Sequence, residues 1–98
     1  MKRLFIFILL IGSTAMAGRV DEIGIMAMED AEFTLGLNAF MNYEVTYQDF
    51  TTPEKEHDLA VKTEITLNKV DGTKHVWTCV TQFVKTPKFF EITKTDCL

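Results

Sequence analysis

The clearest pattern in the chain is an alternation of apolar and polar positions over residues 59–84, LAVKTEITLNKVDGTKHVWTCVTQFV. Leu59, Val61, Ile65 and Leu67 recur at every second position of a first arm, and Trp77, Cys79 and Phe83 do the same in a second. Two such arms around Val70-Asp71-Gly72 predict one long antiparallel hairpin. Its register follows from the demand that both apolar rows share a face. A two-residue turn at Asp71-Gly72 would pair Val70 with Thr73 and leave Trp77 on the opposite face from Ile65. A three-residue loop with Gly72 in the left-handed conformation pairs Lys69 with Thr73. Ile65 then stands opposite Trp77, Leu59 opposite Phe83, and Thr63 opposite Cys79. The second register is expected, because a slip of one residue would turn an arm's apolar row to water. Glycine also takes the left-handed position without steric cost.

Upstream, residues 20–41 carry two periodicities at once. Ala, Met, Glu and Leu favour a helix, and Asp21 and Glu22 suit its N-terminus. Ile23, Met26, Ala27, Phe33, Leu37, Phe40 and Met41 fall on one broad helical stripe. Asp30 interrupts that stripe, and Gly36 costs about 1 kcal/mol inside a helix. From Phe33 to Tyr47, however, every odd position is apolar, which is strand periodicity. The run is longer than a usual single strand. The reading adopted is a helix over about 21–40 and a strand over about 42–50, with helix against strand left open for residues 24–40.

Residues 51–58, TTPEKEHD, form a polar loop with Pro53 and a dense charge cluster. Lys85-Thr86-Pro87-Lys88 is the next turn, because Pro87 cannot donate to a central ladder. Residues 89–95, FFEITKT, make the last strand, and Cys97 follows where it can be tied back to Cys79. The predicted fold class is α+β: one N-terminal helix packed on a four-stranded antiparallel β-meander, clasped by one disulfide. The helix must bury its stripe on one face of the sheet, with Trp77, Ile65 and Phe83 as the sheet's share of the core.

The chain begins MKRLFIFILLIGSTAMAGR. Lys2 and Arg3 are a basic n-region, residues 4–11 an unbroken apolar run, and Ala15-Met16-Ala17 a small-x-small cleavage box. Residues 1–17 are therefore expected to be a signal peptide, with the run too short to span a bilayer comfortably. Residues 18–98 would be a single small secreted or periplasmic domain, with no stable membrane span after cleavage. A domain of this size buries a modest core, and exported ones often add a covalent staple. Cys79 and Cys97 are the only cysteines, so only one pairing within the chain exists, and a disulfide is expected.

Loss of the leader removes Lys2 and Arg3 and leaves eight basic residues against fourteen acidic ones, a net charge of −6. Residues 18–58 hold ten of those acids and two bases; residues 59–98 hold four acids and six bases. This balance argues against a nucleic-acid partner, which needs a basic face.

Candidate chemistry is sparse. His57 and His75 have no second ligand at helical spacing, and the cysteines form no C-x-x-C pair, so a zinc site is unsupported. His75 and Cys79 share a strand face but stand about 13 Å apart, beyond the reach of a nucleophile and its base. If extended, residues 54–58 would turn Glu54, Glu56 and Asp58 one way, a weak attraction for a hard cation that lacks the glycine and ligand count of a calcium loop. A solvated charge run is the expected role. No phosphate loop, nucleophile elbow or glycosylation sequon occurs. A protein that is not an enzyme, without metal or cofactor, and that binds another protein is the resulting expectation.

The segment CVTQFVKTPKFFEITKTDCL, residues 79–98, resembles the C-terminal part of the secreted cystatins. There too a cysteine-bearing strand runs into a proline-containing hairpin loop and a last strand that ends in the partner cysteine. Gln82, Pro87 and Lys94-Thr95-Asp96-Cys97 carry the likeness by residue over about 74–98; the remainder is similar in the order of its elements. The resemblance implies a wedge that occludes the cleft of papain-like cysteine proteases. Gly18 would match its N-terminal glycine, and Pro87-Lys88 its Pro-Trp loop with Lys88 in place of the tryptophan. The family's Gln-x-Val-x-Gly loop should fall at residues 51–58, where TTPEKEHD stands instead. The second disulfide of secreted cystatins has no counterpart. Binding residues expected from the resemblance are Gly18, Pro87 and Lys88, in a protease inhibitor or a degenerate relative. The alternative is an exported protein-interaction module that binds through a sheet face or edge.

Overall fold

Alternation makes the strands, and glycine and proline end them. The computed structural model describes residues 12–98, with side chains from Glu22 onward, so the leader assigned to residues 1–17 lies outside the described side chains. Helix α1 (Gly12–Leu35) is followed by β1 (Tyr43–Thr51), β2 (Leu59–Asn68), β3 (Lys74–Lys85) and β4 (Phe90–Cys97). The strands form one antiparallel sheet in sequence order.

The central hairpin has the three-residue loop. Lys69 N–H donates to Thr73 O at 2.8 Å, and Gly72 sits at φ +90°. Ile65 pairs with Trp77, Leu59 with Phe83, and Thr63 with Cys79. At the opposite edge Cys79 pairs with Cys97, and the two sulfurs are bonded.

The helix stops at Leu35, five residues before the expected end. Gly36 is the reason. It adopts φ +72° and closes the helix: its N–H donates to Phe33 O, and Leu37 N–H reaches back to Glu32 O. This is the paired C-terminal motif that a left-handed residue just past the helix makes possible. Gly36 therefore caps the helix rather than weakening its interior. Residues 38–42 then turn the chain into β1, and Phe40 is left wholly in solvent.

The helix buries Ile23, Ala27 and Ala31, spaced by four residues on one side. The two alanines let it lie close to the sheet. It rests chiefly over β4, with lesser contact to β2 and β3. Two apolar clusters result. Near the β1–β2 loop, Ile23, Ala27, Val61 and Phe83 pack with Leu59, Phe89, Phe90 and Ile92. Near the β2–β3 turn, Ala31, Ile65 and Cys79 pack with Leu35, Leu37, Val45 and Trp77. Trp77 thus faces the helix, as the register demands.

A polar seam lies between the clusters. Thr63 and Thr81 are fully buried on the helix-facing side. Thr95 Oγ1 donates to Asp30 Oδ2 at 2.6 Å, which commits its single proton. Thr81 Oγ1 is 2.8 Å away and donates to Thr95 in turn. Asp30, the flaw in the apolar stripe, is the acceptor that ends this chain. Burying the threonine hydroxyls without such partners would cost about 1–3 kcal/mol each.

Two bulges re-aim the outer strands. The β1–β2 register shifts between Val45 and Tyr47, so Tyr43 and Val45 face the helix but Tyr47 turns to the open face. Gln48 and Phe50 turn inward in its place, opposite Thr63 and Val61. The β3–β4 register shifts between Gln82 and Phe83, which places Thr93 on the open face. An extra residue in one strand leaves no mark on an apolar/polar pattern that continues through it.

Tyr43 gives a test of the helix–β1 junction. Its hydroxyl donates to Glu32 Oε2 at 2.7 Å. That bond, then desolvation and the Glu32 charge, hold the phenol above its ordinary 10.0. A raised folded pKa favours the protonated form, so this stabilisation is fully present below pH 10.0 and is lost as pH rises through the higher folded value. Tyr47, raised first by the Asp49 charge, and Lys94, raised first by its bond to Glu54, act with the same sign. Urea midpoints above about pH 10 should fall with pH. Tyr43→Phe should flatten that fall and weaken the protein at neutral pH.

Candidate functional site

Two surfaces merit attention. The first is the end of the sheet that holds the β1–β2 and β3–β4 connections. In a meander these necessarily lie together, with the β2–β3 turn at the far end. Pro87 and Lys88 are exposed at the tip of the β3–β4 turn. Thr86 N–H donates to Phe89 O at 2.9 Å, and Phe89 N–H to Thr86 Oγ1 at 3.1 Å. Pro87 presets the φ that the second position of such a turn needs. Gly18 falls in the helical stretch that precedes the described side chains.

Residues 52–58 do not project from this end; they fold back over the open face of β3 and β4. Glu54 N–H donates to Gln82 Oε1 at 3.0 Å, and Gln82 is buried beneath. The Glu54 carboxylate pairs with Lys94 at 2.8 Å. His57 Nε2 meets Thr93 Oγ1 at 2.8 Å, and Nδ1 meets Lys55 O at 3.1 Å. Asp58 accepts Lys85 N–H at 2.7 Å and donates its own N–H to Phe83 O. Glu56, at φ +67°, points into solvent by itself. The extended arrangement with three carboxylates in one direction is therefore not formed. Among the described residues no group of three or more His, Cys, Asp and Glu is placed to hold a metal ion. His75 packs edge-on against Trp77 with ring centres 4.5 Å apart, and Cys79 is consumed by the disulfide.

The second surface was not anticipated. Because α1 leans toward β4, its other flank stands away from β1. An open groove of about 560 Å³ remains between them, lined by Gly24, Ile25 and Met28 of the helix, Gln48, Asp49 and Phe50 of β1, and Val61 of β2. Gln48 spans the groove: Nε2 donates to Gly24 O at 2.8 Å and to Thr63 Oγ1 at 3.0 Å. Gly24 permits that approach, since a Cβ there would stand 2.8 Å from Gln48 Oε1. Ile25 and Phe50 are 52% and 45% exposed, large for side chains flanking a core. The groove depends on the Thr46 bulge, which brings Phe50 to this side. The sequence offers only one signal, an isoleucine off the buried stripe at Ile25.

No described helix is long and apolar enough to cross a membrane. No protein-family model, curated protein or solved structure matches the chain.

Proposed function

We propose that this chain is a small exported binding protein that acts by covering part of another protein, with no chemistry of its own. The observation that carries the reading is the apolar surface left on a small domain whose interior is otherwise saturated. Ile25 and Phe50 are each about half exposed, and with Met28 they line one groove. Exposed apolar side chains gathered on one side mark an interaction surface more often than isolated ones do. The disulfide and the leader-like residues 1–17 support an oxidising compartment, with the working chain beginning at Gly18. The test is expression with the native leader, a mass measurement of the exported protein, and photo-crosslinking from positions 50 and 88. A mature mass that begins at Gly18 and one reproducible crosslinked partner are expected. A retained leader, or no partner from either position, would sink the reading.

A second reading has its own support. The β1–β2 and β3–β4 connections start from the same end of the sheet, which supports a cystatin-like arrangement, although residues 52–58 fold back from it. On this reading Gly18, Pro87 and Lys88 meet a papain-like protease. The charges of residues 54–58 count against it, because Glu56 would lose its water without gaining a partner. Purified mature protein should inhibit papain reversibly if the resemblance extends to activity; no inhibition at high micromolar protein rejects it.

A further inference from the structure

We infer that the groove between α1 and β1 receives a segment of another protein that carries lysine or arginine beside large apolar side chains. The inference rests on the binding-protein reading above and adds where the partner sits and what chemistry it has. The apolar half of the specification comes from the lining. Ile25 and Met28 form one wall, Phe50 the other, and Val61 the floor. Such a lining offers sites for side chains of leucine or phenylalanine size.

The basic half comes from charge. Residues 20–54 supply α1 beyond Arg19 and all of β1. They contain eight acidic residues and not one lysine or arginine. Glu29 and Glu32 follow Ile25 and Met28 at four-residue spacing and so stand on the same helix flank. Asp49 stands at the β1 edge but turns its carboxylate to the open face, where it accepts Phe50 N–H at 2.8 Å and Tyr47 O–H at 3.2 Å and lies across from Lys62, so the charge of the groove comes from the helix. Among the described residues both ion pairs use Lys94, at the other edge of the sheet. The groove is thus an apolar slot with an acidic flank on its helix side, and cationic side chains on the partner complement it. A second copy of this chain would bring further acidic residues to the same flank and is disfavoured by like charge.

Recognition should run through side chains and not through an added strand. The bulge at Val45–Tyr47 breaks the regular edge of β1, and Asp49 occupies the Phe50 N–H. The slot is also held open in advance. The Gln48 bridge to Gly24 O fixes the spacing of its two walls, which lowers the ordering cost on binding.

The experiment uses the exported, disulfide-intact protein and a short fluorescent peptide that alternates lysine with leucine and phenylalanine. A counterpart with glutamate for every lysine is the control. Anisotropy should show binding of the lysine peptide that weakens as salt is raised, and none of the glutamate peptide. Amide shifts should centre on Gly24, Ile25, Met28 and Phe50. Ile25→Ser and Phe50→Ser should each weaken binding by about tenfold, near 1.4 kcal/mol. Glu29→Lys, on the exposed helix flank, should weaken it without lowering the urea midpoint. Equal binding of both peptides, no binding of the lysine peptide, shifts confined to residues 52–58 and 86–89, or a dimer in light scattering that buries the groove would each overturn the proposal. A crosslinked partner that persists in both serine variants would overturn the groove and leave the binding role standing. Loss of every partner from every position would remove both.

Discussion

Phe83→Ala is expected to lower the unfolding free energy by about 3–5 kcal/mol, the largest effect of any single substitution in the chain. Phe83 has no solvent exposure and heads the fully buried side chains by volume. It joins Ile23 and Ala27 of the helix to Val61 of the sheet, and Leu59 stands across from it. A cavity there has little means of collapse. The polar seam of Thr81, Thr95 and Asp30 stands beside it, and its hydrogen bonds would be lost if the helix sank inward. At about 0.05–0.15 kcal/mol per residue, residues 18–98 should hold about 4–12 kcal/mol in total. The variant is therefore expected to be marginal or unfolded at room temperature, with a lower denaturant midpoint and an unchanged slope if it still folds. Phe50→Ala is the control. That ring is half exposed at the groove, and its loss should cost about 1 kcal/mol or less. Comparable costs for the two phenylalanines would mean that the core has been placed in the wrong layer.

The contrast between these two residues also shows what was readable without coordinates. The hairpin was readable to the residue, because two alternating rows and a single glycine at the turn leave one register in which neither row faces water. Pro87 and Lys88 were readable as an exposed turn for a similar reason: proline has no N–H to give a ladder. The helix end was not. Leu37, Phe40 and Met41 continue the helical stripe, and Gly36 reads equally as a weak interior position or as a cap. Only the bonds from Gly36 and Leu37 back into the last turn decide between them. The bulge at Thr46 was hidden by an alternation that runs through Tyr47 unbroken. The groove was hidden twice over. It needs that bulge, and it needs the helix to lean toward β4, which follows from Ala27, Ala31 and the Thr95–Asp30 bond. Small residues and a lone acid announce none of this in one dimension.

Removal of the disulfide should be the second large effect, and it bears on where the protein can work. Cys79 and Cys97 are 18 positions apart, and constraining a loop of that length in the unfolded chain is worth about 3 kcal/mol in the entropic account. The double variant Cys79→Ala with Cys97→Ala is cleaner than serine, because Cys79 is fully buried beside Ala31 and Ile65 and a hydroxyl there would lack a partner. The damage should also be local. β4 is an edge strand, held beyond the bond by Leu98 N–H to Thr78 O and Thr78 N–H to Leu98 O. It is the strand over which the helix chiefly rests. Amides of β4 and of the C-terminal half of α1 should therefore lose hydrogen-exchange protection before those of the β2–β3 hairpin. Unchanged protection in β4 together with an unchanged denaturant midpoint would show the bond to be dispensable. If the loss is near 3 kcal/mol out of about 4–12, residues 18–98 made in a reducing compartment should accumulate poorly, while the same residues made in an oxidising one are stable. That comparison tests whether the fold depends on an oxidising compartment through its single clasp.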